Sequence, residues 1–178
     1  MTIEQLTSGA LAAGFSQAGA LNPSSINCNP LVRDMCAACA AYGKTWVCPP
    51  ACGTIEECQE RIGRFSTGLI VQTTGQLEDE FDGETTMETM AKHADNVSRY
   101  YKELRGNYPG DSMMCLGAGG CNRCNPCTYP GEPCRFPDEQ NSSMEAYGMV
   151  VAETCKANGI DYYYGKCTIT FVSCYLFQ

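Results

Sequence analysis

The 178-residue chain reads as an α/β (or α+β) fold, one layered domain with a small mixed sheet, flanking helices and two cysteine-rich loops. Three observations predict this. Apolar residues recur at helical spacing in some segments and as short β-branched runs in others, and the two kinds alternate along the chain. Hydrophobic residues make up 44% and charged residues 18%, as expected of a globular chain. The 14 cysteines gather mainly in two segments without periodicity, about 28–53 and 115–140. The length suits one hydrophobic core, so residues 1–178 are read as a single metal-binding domain.

The elements follow in order. Thr2-Ile3-Glu4-Gln5 fits a capping box, in which a hydroxyl closes the first helical turn and Gln answers it, so a helix is expected to about Ala13. Phe15 to Leu21 reads as a strand. Residues 22–53 are rich in Pro, Gly, Asn and Cys and read as a loop. Thr54-Ile55-Glu56-Glu57 is a second capping box, followed by Ile55, Cys58, Ile62 and Phe65 on one helical face. Gly68 to Thr74 reads as a buried strand and 76–84 as an acidic loop. Met87, Met90, Ala94, Val97, Tyr101 and Leu104 mark a long helix that stops before Gly106. That register places His93, the one histidine, toward solvent. Ser112 to Leu116 is a short strand. Ser142-Ser143-Met144-Glu145 resembles a third capping box, opening a helix with Met144, Tyr147, Val151 and Cys155 on its inner face; this accounts for Glu145 as a cap. Lys166 to Phe177 closes the chain as a long strand.

Charge narrows the partners. A net charge of -8 is ill suited to phosphate backbones, and before position 61 the only cations are Arg33 and Lys44, so no nucleic acid is expected. An acidic surface suits solubility or docking on a basic redox partner protein. The first 32 residues carry neither the basic nor the apolar region of a secretory leader, and no run is long enough to span a membrane. A cytoplasmic location is therefore expected, where thiols stay reduced and dense cysteine points to metal rather than disulfides.

The sharper motif is Cys121-x2-Cys124-x2-Cys127-x6-Cys134. Three cysteines at successive x2 spacing wrap backbone around one cubane, and a fourth closes the site, either on this cluster or on a neighbour. Zinc sites use pairs of ligands separated by a longer loop, so a [4Fe-4S] cluster is preferred and zinc is the alternative. Gly117, Gly119 and Gly120 lie just upstream, where backbone N–H groups can approach cluster sulfides. The looser motif is Cys36-x2-Cys39-x8-Cys48-Pro49-Pro50-x-Cys52. If Cys52 is a ligand the site is closed; if not, one iron is open and can act as a Lewis acid. Cys28 is the other possible fourth ligand. The remaining cysteines, Cys58, Cys115, Cys155, Cys167 and Cys174, read as small hydrophobes on helices and strands. Arg33, Lys44 and Arg135 flank the loops and can balance anionic clusters or steer an anion, and Tyr42 and Trp46 are expected to cover the first site.

Arg33-x2-Cys36-x2-Cys39-x2-Tyr42-Gly43-Lys44-x-Trp46-x-Cys48-Pro49-Pro50, together with the second motif and Ser143-Met144-Glu145-Ala146-x-Gly148, resembles a bacterial and archaeal family of predicted metal-binding proteins without an assigned reaction. The resemblance spans nearly the whole chain and implies metal at both loops. It also implies a residue other than cysteine at position 52. The sequence thus points to two iron–sulfur clusters in electron transfer. An iron–sulfur enzyme with an open-coordination cluster and a structural zinc interaction module are the alternatives, and whether the chain is an enzyme stays open.

Overall fold

A computed structural model describes residues 1–178. The chain forms five α-helices, α1 (Ile3–Ala12), α2 (Pro30–Met35), α3 (Ile55–Ile62), α4 (Gly83–Arg105) and α5 (Val151–Ala157). Its four strands are β1 (Gln17–Leu21), β2 (Thr67–Gln76), β3 (Met113–Leu116) and β4 (Thr168–Phe177). They make one sheet in the order β1-β2-β4-β3, with every neighbouring pair antiparallel. This is the α+β form of the expected fold, with helices flanking one small sheet that is antiparallel throughout rather than mixed. The one parallel contact is an isolated bridge between Gly117 and Ser143.

Both faces of the sheet are buried, and the alternation along β2 sorts the core. Leu69 and Val71 join Tyr175, Phe177 and Cys115 under α1 and α4. Ile70 joins Cys174, Leu176 and Leu116 on the other face, under α3, α5 and the cysteine loops. The capping boxes at Thr2 and Thr54 are both present and start α1 and α3. Tyr100 and Tyr175 tie the first face together: their hydroxyls donate to Leu6 O at 2.7 Å and Val97 O at 3.0 Å.

Three local expectations change. The loop from 22 contains α2, whose cap is Asn29 (Oδ1 accepts from Leu31 N at 2.9 Å) and whose first position is Pro30. The helix expected from Ser142 breaks into a 3₁₀ turn, Glu145–Tyr147, because Gly148 adopts φ 77° and reverses the backbone before α5. His93 is buried, not solvated: its Nδ1 and Nε2 lie 2.9 Å from Thr73 Oγ1 and 2.8 Å from Ser173 Oγ. The buried polar face of α4 is Thr89, His93 and Asn96: Thr89 Oγ1 donates to Thr85 O within the helix, His93 meets Thr73 and Ser173 on the sheet, and Asn96 Nδ2 donates to Gly14 O. No helix is long and apolar enough to cross a membrane.

Candidate metal centres

The two loops fold against each other at Trp46: its Nε1 donates to Glu132 O at 3.1 Å, and its carbonyl accepts from Gln140 Nε2 at 3.1 Å. Each loop encloses one group of thiols.

In the second loop all four predicted cysteines, Cys121, Cys124, Cys127 and Cys134, line one small cavity, beside Trp46 and Phe136. Their charges are mutually felt. The Cys121 thiol is pushed up first by burial and then by the neighbouring sulfurs of Cys124, Cys134 and Cys127. Cys127 is held down by hydrogen bonding, chiefly from the Tyr129 backbone, which favours its thiolate. Cys134 Sγ accepts from Phe136 N at 3.4 Å. Arg123 lies over the Phe136 ring at 5.3 Å and pairs with Glu139 at 2.6 Å, while Glu139 also meets Lys102 of α4 at 3.4 Å. Trp46 packs edge-on against Tyr129 with centroids 4.9 Å apart. It therefore shields the second site; only Tyr42 of the expected pair borders the first.

The first loop brings Cys36, Cys39 and Cys48 to one open cavity of ≈ 300 Å³, shared with Val32, Met35, Tyr42, Ser143 and Glu145. Burial pushes the Cys36 thiol up, and Cys39, Cys48 and Glu145 push it further, so these four groups share one neighbourhood. Short backbone bonds shape the loop, with Cys39 N to Cys36 O at 3.0 Å and Gly43 N to Pro49 O at 2.8 Å. Cys52 does not border this cavity. It is buried in the core, its Sγ 3.7 Å from Ala146 O, and Cys28 is buried beside the same core cluster.

The flanking cations are placed differently from a substrate-steering role. Arg33 reaches inward, donating to Ala146 O at 2.5 Å and to Gly53 O. Arg135 Nη1 donates to Pro126 O at 3.2 Å, and Lys44 is exposed. Three residues at the first site carry no signal for it in the sequence, Glu145, Gly119 and Gly120. Glu145 loses its capping explanation because no helix starts at Ser142; Ser143 Oγ instead accepts from Ala146 N at 3.0 Å. Gly119 and Gly120 belong to the second motif yet wall the first cavity.

The donor sets fit metal. Seven thiols converge as a group of three and a group of four, the all-sulfur sets that iron–sulfur clusters and zinc use. The one buried side-chain oxygen or nitrogen without a hydrogen-bond partner is Thr45 Oγ1, which lines the four-cysteine cavity and has a hydroxyl to give. No three Cys, His, Asp or Glu side chains stand close enough to grip a single ion.

A family model described as predicted metal-binding protein (DUF2284) matches residues 19–177, and the chain belongs to that family. No curated protein and no solved structure matches it.

Proposed function

We propose that this chain is an iron–sulfur protein with two unlike centres. Cys121, Cys124, Cys127 and Cys134 would hold a closed cluster that passes single electrons. Cys36, Cys39 and Cys48 would hold a second cluster with one position open to a small ligand. The observation that carries the reading is the split in the first motif: three of its thiols border a cavity of ≈ 300 Å³, while the fourth, Cys52, faces the core. Between electron transfer alone and an open-coordination enzyme, this split favours the second, with the closed centre as its electron supply.

When bound, an iron with an open position supplies Lewis acidity and one-electron chemistry. The chain's own residues supply the rest. Val32, Met35 and Tyr42 make an apolar wall, no lysine or arginine borders the cavity, and Glu145 is its one carboxylate. The pocket therefore suits a small uncharged ligand, with Glu145 placed to take or give a proton. The net charge of -8 suits a basic electron-donor protein as partner.

Zinc at the four-cysteine loop is the second reading. The space between those thiols is only ≈ 10 Å³, room for about one water-sized sphere, so a cluster requires this irregular loop to widen.

Metal and sulfide content, with an absorbance spectrum, on protein purified without oxygen tests both. Brown protein with about eight iron and eight sulfide per chain supports two cubanes. Colourless protein with stoichiometric zinc overturns the cluster assignment.

A further inference from the structure

Beneath the first cavity lies a second constellation of sulfur and charge. Arg33 Nη1 and Arg61 Nη2 both point at Cys58 Sγ, each at 3.7 Å. Arg61 also donates to the Cys52 carbonyl and, through Nη1, to Tyr147 Oη at 2.8 Å. Neither guanidinium belongs to any of the three carboxylate ion pairs. Cys58 is fully buried and Cys52 nearly so; Cys58 Sγ donates to the Cys52 carbonyl at 3.6 Å, and Cys52 Sγ donates to Ala146 O at 3.7 Å.

Glu57 Oε2 stands beside the Arg61 guanidinium at Gly53 without forming an ion pair, and the group on which both guanidiniums converge is the Cys58 sulfur. The neighbouring Cys52, then hydrogen bonding from Arg33, with the charges of both arginines, draw the Cys58 thiol downward against the cost of burial. Cys52 moves the opposite way, pushed up by the neighbouring Cys58 and by its own burial. One sulfur is set as nucleophile and its neighbour as the thiol that resolves.

We propose that Cys52 and Cys58 form a redox-active dithiol that closes to a disulfide when a small-molecule disulfide reaches it. This rests on Cys52 standing outside the first metal site. The Cys58 thiolate attacks one sulfur of R–S–S–R, forming a Cys58–S–S–R bond and releasing R–S⁻. The Cys52 thiol then passes its proton to the released thiolate, and its sulfur attacks Cys58 Sγ and expels the second R–S⁻. The two protein sulfurs are oxidised by one electron each, and the reagent is reduced to one thiol and one thiolate. Because both sulfurs are buried, the reagent enters through local opening of the 48–53 segment, so the reaction is slow beside that of an exposed thiol.

The bond joins the segment just after Cys48 to α3 and removes the anion that Arg33 and Arg61 share. Oxidation is thereby coupled to the floor of the first cavity, since Arg33 also holds Ala146 O there.

The test uses metal-loaded protein prepared without oxygen and treated with oxidised glutathione, then quenched in acid, alkylated and mapped by mass spectrometry. The expected result is a Cys52–Cys58 linked peptide with metal content unchanged. Arg61→Gln is expected to slow its formation roughly tenfold, as the thiolate fraction falls. If the native protein stays folded and metal-loaded and both cysteines remain alkylatable, the dithiol is overturned and the metal assignment stands. If Cys52→Ser strips metal from the first site, Cys52 is a ligand, and both the dithiol and the open position are overturned.

Discussion

Gly120 forms part of the wall of the first cavity although it immediately precedes Cys121 of the second site: a methyl group built on Gly120 would lie 3.9 Å from Cys48 Sγ. The two centres are thus one residue apart through backbone, and perturbing either loop reaches the other. Gly120→Ala meets only ordinary contact distance and is expected to leave metal content intact. Gly120→Leu drives a branched side chain onto Cys48 and is expected to lower occupancy of the first site by half or more. Metal analysis of the two variants, with circular dichroism to verify the fold, checks this.

Cys124→Ser is expected to remove most of the second centre's metal, because it deletes one of four converging thiols. Cys155→Ser is expected to leave it unchanged, since Cys155 Sγ lies on the sheet's core, 3.7 Å from Gln72 Nε2. Equal metal loss from both would show that the constellations have been grouped wrongly.

Thr45→Val separates apo and loaded protein. Without metal, the buried hydroxyl has no partner, so its removal is expected to stabilise the chain by about 1 kcal/mol. If the proposed cluster is bound, the same change removes a donor that borders it and is expected to shift its potential downward. Thermal melts of apo protein and a redox titration of loaded protein read the two effects. Unchanged potential would leave Thr45 without a role at the centre.

Burial lowers the His93 pKa to about 4 from its ordinary 6.5, so the folded chain prefers the neutral ring. The unfolded chain binds the proton more readily between those values. Stability from this group is therefore complete above pH 6.5 and is lost as pH falls toward 4, by roughly 3 kcal/mol in total. Denaturant melts at pH 6.5 and 5 should show about half of this loss in the native protein and a shallower slope in His93→Gln.

Gly148→Ala tests the turn that replaced the expected helix. Gly148 has φ 77°, and a Cβ there would stand 2.7 Å from Ile55 Cδ1 and 3.0 Å from Asn29 O. A loss of about 2–3 kcal/mol is expected from backbone strain and overlap combined. A melt indistinguishable from native protein would refute it.

Much of this was legible in the sequence for identifiable reasons. The boxes at Thr2 and Thr54 are local, so a few residues suffice to locate α1 and α3. The C-x2-C-x2-C run brings its thiols to one cavity by chain geometry alone, and Cys134, whose place the spacing left open, borders the same cavity. What escaped depended on partners distant in sequence. His93 looked solvent-facing because an apolar stripe is a poor guide where the inner face is polar and answered by Thr73 and Ser173. Trp46 changed sites because its partner, Glu132 O, lies 86 residues away. The cap at Asn29 and the proline after it mark the start of α2 locally, but the surrounding Pro- and Gly-rich composition reads as loop and hides a helix of only six residues.

Strand order has a consequence for how the molecule comes into being. β4 runs between β2 and β3 in the interior of the sheet, yet it follows both cysteine loops in the chain. During synthesis every ligand emerges from the ribosome before the strand that unites the sheet, so the thiols are made while their scaffold is still divided. Metal delivery must then either wait for the final strand or protect loops that lack their support, and a nascent chain halted before residue 168 would present reactive cysteines with no core beneath them.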